Sequence, residues 1–272
     1  MQKERISDDI YVFTSELYAQ VTAGAVVGAD GTALIDTLPF PSETRQIRDF
    51  VEKRLGSRVR YVINTHYHSD HTNGNYLFPE AEVIGHWQTR EKLATIGTEA
   101  LAKAKPQMPE LAEVDVRLPT ILVEQGPLYL QLGRKTLQLF HTPGHSSDSL
   151  SVLLREDKIL FSGDMMMPLP QIVDGDIDDE IRSLNLIPPL NLENVVQGHG
   201  EIVLRGEIDD AVRANLKYLD TLKKKVDALV KKKRPRDEAR AIEIESCGKN
   251  RIALNGLVVQ LHTANALALY DR

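Results

Sequence analysis

The chain has 272 residues and a formal net charge of −6, with 26% charged and 42% hydrophobic residues. That size and mixture can bury a large core, and the acidic balance gives no general pull toward nucleic acid or an anionic membrane. Its one cysteine, Cys247, excludes an intrachain disulfide and reads as a small packed residue.

No window approaches the roughly 20 apolar residues of a membrane helix. The start, MQKERISDDIYVF, is charged and lacks the apolar centre of a signal peptide. A soluble, cytoplasmic protein is expected.

Segments 10–14, 20–28 and 32–37 read as strands, with Asp30-Gly31 as a hairpin turn. Residues 42–56 predict a helix capped by Ser42 and stopped by Gly56. The strand predicted over 59–65 ends in NTHYHSDHTNG, residues 64–74. EVIGH (82–86) predicts another short strand, followed by a helix from about Trp87. Residues 97–118 predict irregular helix broken by Pro106 and Pro109, a lid or an insertion.

From 121 the pattern is strand-rich as far as KILFSGD, then a helix is expected within 176–187 and one more strand and loop over 193–200. After 207 the chain reads as helical, with Val212, Leu216, Leu219, Val226 and Leu229 on one face of a long helix and a final helix over about 251–270. With no internal repeat or flexible linker, one domain over 1–272 is expected, its helical extension covering about 207–272.

The histidine cluster has metal-ligand spacing. Residues two apart on an extended segment point the same way, so His66 and His68 grip one point from one side. If the chain turns helical near Thr72, Asp70 and His71 swing toward a second point. Imidazole and carboxylate are ordinary ligands for zinc, manganese and iron. Three later segment ends offer more donors: His145 after the Pro143-Gly144 turn, Asp164 after an apolar strand, and His199 between two glycines. His141, four residues before His145, is a candidate to support it by hydrogen bonding. His86 and His262 read as structural.

THYHSDH, TPGHS, SGD and GHG, in this order, resemble the metallo-β-lactamase fold superfamily. The resemblance runs from the N-terminal strands to His199. It implies an α/β fold, a four-layer αββα sandwich with C-terminal helices. It implies two divalent ions, zinc first, with iron or manganese as alternatives. His66, His68 and His145 would hold the first, Asp70, His71 and His199 the second, and Asp164 would bridge them. Asp36 in LIDT matches a supporting acidic position.

The implied activity is hydrolysis by a metal-bridging hydroxide, with Asp70 as the catalytic group that orients it and takes its proton. The SGD aspartate points toward the glyoxalase II and lactonase side. The expected substrate is a small ester, lactone, thioester or phosphoester. A β-lactamase-like amide hydrolase, a mononuclear iron oxygenase resembling persulfide dioxygenases, and a nuclease are the alternatives. The strip 223–236 carries eight basic residues and one acidic one. It reads as a solvated helix face, so nucleic acid is not the expected partner. Met165, Met167 and Leu169 closely follow Asp164 and are candidates to border the substrate pocket. The final helix, with Leu254, Leu257, Val258 and Leu261, is a candidate to wall the same cavity, its apolar spacing being equally explained by packing.

Overall fold

The computed structural model describes residues 1–272 and places the strands in two sheets. The first runs, in spatial order, β1 (Gln2–Ser7), β2 (Ile10–Thr14), β3 (Thr22–Gly28), β4 (Gly31–Ile35), β5 (Val59–Ile63), β6 (Glu82–His86) and β7 (Ile121–Val123). Its first four strands are antiparallel and its last four parallel. The second runs β13 (Val203–Leu204), β12 (Asn194–Gln197), β11 (Ile159–Gly163), β10 (Leu150–Leu154), β9 (Lys135–His141) and β8 (Leu128–Leu132).

The two-residue period of the strands builds the middle of the sandwich. Ile10 and Val12 on β2, Leu137 and Leu139 on β9, and Leu150, Val152 and Leu154 on β10 face each other between the sheets. Gly24 marks a close approach: a Cβ there would lie 2.3 Å from Cε1 of Phe161 in the opposite sheet. A larger residue at 24 would force the sheets apart, a typical overpacking cost of about 1–3 kcal/mol.

Helices cover both outer faces. On the first sheet, α1 (Pro41–Asp49) presents Ile47, and the π turn that follows presents Val51, to Phe13, Leu34 and Val62. Leu160 and Val195 of the second sheet belong to a core shared with α5 (Ile177–Leu184), α6 (Ile208–Lys231) and α8 (Val258–Tyr270). The layers are therefore helix, sheet, sheet, helix, the expected αββα order. Cys247 is buried in that helical core. His262 bonds there to the Tyr218 hydroxyl and the Ile242 carbonyl. No helix is long and apolar enough to cross a membrane.

Two expectations change. Ser42 does not cap α1: the helix starts at Pro41, and Phe40, with extended backbone, stands at the cap. Proline is pre-set for the first helical position and needs no N–H partner there, so Ser42 falls inside the first turn. The last helix starts at Val258 rather than near 251. Leu254, Asn255 and Gly256 take positive φ values of 50°, 54° and 89°, which breaks any continuous helix before it.

Candidate metal centre

One rim of the sandwich gathers every histidine and acid of the four motifs. β4 leads into Asp36, β5 into His66 and His68, and the short helix α2 (Ser69–Thr72) carries Asp70 and His71. The turn after β9 delivers His145, β11 ends at Asp164, and the turn after β12 delivers His199. All but Asp70 and His68 are buried.

Hydrogen bonds from the backs of the rings decide which nitrogen faces the rim. His145 Nδ1 donates to the Gln171 carbonyl at 2.9 Å, and His199 Nδ1 to the Ala19 carbonyl at 2.9 Å. His71 Nδ1 donates to Asp36 Oδ2 at 2.8 Å. His66 Nδ1 lies 3.1 Å from the Thr65 hydroxyl, which itself donates to Asp36. His68 is turned the other way: its Nε2 lies 3.5 Å from Asp174, and its Nδ1 faces inward.

Lone pairs are therefore left pointing at one another. His68 Nδ1 lies 3.0 Å from both His66 Nε2 and His145 Nε2. With the ring protons engaged behind them, three acceptors converge and cannot bond to each other. A cation satisfies them: tetrahedral zinc with bonds of about 2.0–2.1 Å needs nitrogens about 3.3 Å apart. His66, His68, His145 and Asp164 form one group with metal-binding spacing, and Asp70, His71 and His199 form another. Asp164 lies between them, with Oδ2 3.4 Å from both His145 Nε2 and His199 Nε2 and Oδ1 3.3 Å from His71 Nε2. His71 Nε2 and Asp164 Oδ1 are buried without a hydrogen bond. Orphaned buried donors and acceptors of this kind mark the place of an ion. The residues fit a metal centre.

The two groups differ electrostatically. Burial, reinforced by neighbouring imidazoles, holds His66 well below its ordinary pKa and His145 at about 4. Burial also opposes charge on His71 and His199, but carboxylates outweigh it. Asp164, Asp70 and Asp36 raise His71, and Asp164 and Asp70 push His199 up to about 10. Burial works against ionising Asp164 and Asp70 as well, yet the facing histidines hold both below the usual carboxylate range. The second group thus demands positive charge, and protons compete with a divalent cation for it.

A cavity of about 350 Å³ opens onto Asp70, Asp164 and His199. Its walls are largely apolar: Tyr18 from the β2–β3 loop, Tyr67, Ile96 and Ala100 from the helical segment before and within α4 (Thr98–Ala104), Met167, and Leu254, Leu257 and Leu261 from the C-terminal helices. Burial, then the charges of Asp70 and Asp164, keep the Tyr18 hydroxyl protonated.

Of Met165, Met167 and Leu169, only Met167 lines this cavity, whereas Leu254, Leu257 and Leu261 of the C-terminal segment line it as the sequence suggested. Met165 and Leu169 are wholly buried in the core beneath the C-terminal helices. His141 does not touch the His145 ring. Its Nε2 donates to the Ser147 carbonyl at 2.8 Å, and its ring stacks on His86 with centroids 4.4 Å apart. The support for His145 comes instead from the backbone of Gln171.

Sequence reasoning missed Asp174. It accepts from Lys92 Nζ at 3.4 Å, and Lys92 also reaches Asp148 at 3.4 Å. Burial opposes its ionisation, but contacts from His68, Tyr67 and Lys92 bring its pKa to about 2. The only signal was an acid-rich stretch, DGDIDD, in which no spacing marks one carboxylate out.

Residues 18–228 match the sequence profile of the family described as the metallo-beta-lactamase superfamily. The "Beta-lactamase-like protein 2 homolog" of Caenorhabditis elegans is 26% identical over 69% of this chain and 56% of its own length. The chain thus spans little more than half of that relative. "Acyl-coenzyme A thioesterase MBLAC2" of Homo sapiens is 27% identical over 64% of this chain and 71% of its own. Among solved structures, a metallo-beta-lactamase family protein from Thermus thermophilus superposes with a TM-score of 0.71 at 19% identity, covering 97% of this chain and 93% of that one.

Proposed function

The chain belongs to the metallo-beta-lactamase superfamily, and from that premise we propose that it is a metal-dependent hydrolase of small, largely apolar ester-type substrates: carboxylic esters, lactones, thioesters or phosphoesters. The observation that carries the reading is the apolar cavity ending on Asp70, Asp164 and His199. Such a cavity favours an acyl or alkyl group over a charged polymer.

The ligand set we assign is His66, His68 and His145 for one ion, Asp70, His71 and His199 for the other, with Asp164 shared. Bound there, two divalent cations, zinc first, would supply a water acidified toward neutral pH and an electrophile for the attacked oxygen. Asp36 and Asp174 hold His71 and His68 from behind. Asp70 lines the cavity, with Oδ2 3.3 Å from His199 Nε2, in position to orient the attacking water and take its proton. Tyr18, kept neutral on the same wall, offers an O–H to the substrate oxygen that gains charge. Leu254, Leu257 and Leu261 come from the C-terminal helices, so we treat 1–272 as one working unit.

The relative named as an acyl-coenzyme A thioesterase supports keeping thioesters in the substrate class. A nuclease reading loses support, because Lys223, Lys224, Arg234 and Arg236 of the basic strip are held in ion pairs with Asp178, Asp220, Glu238 and Asp271.

The test is kcat/KM across uncharged esters, lactones, thioesters, phosphoesters and β-lactams with fully metallated protein. Turnover of ester-type substrates is expected. Turnover of β-lactams alone, or of nothing in the panel, overturns the assignment.

A further inference from the structure

A second cavity, of about 390 Å³, lies beside the first. Met167 and Leu254 belong to both linings, so these two side chains form the partition. Leu254 reaches that place through left-handed backbone at itself and at Asn255, a conformation costly for residues with a Cβ.

Lys249 lies on the second cavity's wall. Its ammonium donates to the Pro168 carbonyl at 2.8 Å and to Asn215 Oδ1, both neutral acceptors. Burial is the one influence acting on its pKa, which falls to about 8. A largely buried ammonium without a counter-ion is unfavourable, and an incoming anion removes the penalty. Glu201 and Glu207 line the same cavity, but both are exposed and neither pairs with Lys249. Both face solvent, which screens them, and leave the buried ammonium unpaired.

The charge to be matched is single. Asn215 Nδ2 already donates to the Met167 carbonyl, and Gln197 Nε2 to the Glu201 carbonyl. With one ammonium available and no arginine fork, the site suits a monoanion better than a phosphate. The span is short: Pro168, whose carbonyl Lys249 holds, is four residues from Asp164. That segment covers at most ~14 Å when extended.

We propose that the second cavity binds the terminal carboxylate of the substrate's acyl chain, with Lys249 as its counter-ion. The preferred substrates are then half-esters or half-thioesters of dicarboxylic acids of medium length. The scissile bond sits at the metal centre and the spacer passes between Met167 and Leu254. The proposal rests on the ester-hydrolase reading.

The experiment compares p-nitrophenyl hexanoate with the p-nitrophenyl half-ester of adipic acid on the metallated full chain, and measures adipate binding by calorimetry. The wild type is expected to favour the half-ester at least tenfold in kcat/KM and to bind adipate. In Lys249→Met that ratio falls to about one and adipate binding is lost, whereas Lys249→Arg keeps part of both. Ala211→Met, which fills the second cavity from α6, lowers the ratio without touching the lysine. Thermal melting of each variant shows that it is folded. Hexanoate turnover without a Lys249-dependent preference, or adipate binding unchanged in Lys249→Met, overturns this proposal. Failure to hydrolyse either ester overturns the hydrolase reading instead, and calorimetry still decides the carboxylate site.

Discussion

The Asp174 carboxylate lies 3.5 Å from Nε2 of His68, across the ring from the Nδ1 that converges with His66 and His145. Asp174 therefore decides which nitrogen of His68 keeps the proton, and Lys92 pins the carboxylate in place. Carboxylates behind metal-binding imidazoles typically account for 10- to 100-fold in metal affinity. Asp174→Ala is expected to lose about that much in chelator competition, with Asp174→Asn in between because its carbonyl still accepts. Equal metal retention in all three proteins shows that His68 is not oriented from this side.

Asp164 and Gly198 form a second such pair. A Cβ on Gly198 would come within 1.8 Å of Asp164 Oδ1, so no residue larger than glycine leaves that carboxylate where it is. Gly198→Ala should lower metal content and activity together, as Asp164→Ala does by removing the shared carboxylate. Elemental analysis after reconstitution checks both, against an expectation of close to two ions per wild-type chain. A Gly198→Ala protein with wild-type metal content and rate removes Asp164 from the bridging role.

What the sequence made legible was whatever local periodicity fixes. His66 and His68 could be paired because strand spacing is two. Asp70 and His71 could be separated from them because a helical turn was expected near Thr72; it begins three residues earlier, at Ser69, and carries both. Ring orientation was not legible, because Ala19 and Gln171 act through backbone carbonyls that any residue could supply. The strand β1 escaped notice because QKERIS is an edge strand with no apolar face to betray it. Leu254 was legible as a cavity wall only through the apolar spacing of a final helix, which packing explains equally well. Only its left-handed backbone, set by a local break, turns it to the cavities.

Lys249 makes stability depend on pH in a stated direction. Its pKa is about 8 in the folded chain against an ordinary 10.5. Between those values the unfolded chain binds the extra proton, so stability rises with pH through this window. The contribution is fully present above 10.5 and lost as pH falls through about 8. With each unit near 1.4 kcal/mol, and partial exposure discounted, the change is on the order of 1–2 kcal/mol. Tyr218, raised by burial, opposes it once unfolded tyrosine ionises, which confines the reading to below about pH 10. His71 and His199, raised by their carboxylates, lose stabilisation over the same window, so Lys249 is read from a difference. In urea unfolding of chelator-stripped protein between pH 7 and 9.5, the wild type should gain stability relative to Lys249→Met as pH rises. Parallel curves exclude Lys249 as the source.

The run after Asp164 separates pocket from core residue by residue. Met167 lines both cavities, whereas Met165 and Leu169 are fully buried in the core against the C-terminal helices. Truncating a buried Met or Leu to Ala removes contacts and leaves a hole, at about 2–5 kcal/mol. Met165→Ala and Leu169→Ala should therefore melt lower, with the ranking of acyl chains by kcat/KM unchanged. Met167→Ala enlarges the reaction cavity and thins the partition beside Leu254. It should shift preference toward longer or branched acyl groups by several-fold, since one methylene in an apolar pocket is worth about 1–3 kcal/mol. Metal content should stay at the wild-type value in all three, because none is among the assigned ligands. Equal acyl-chain rankings in Met167→Ala and wild type, measured over butanoyl to decanoyl esters, show that the acyl group does not rest on Met167 and lies instead toward Ile96 and Ala100.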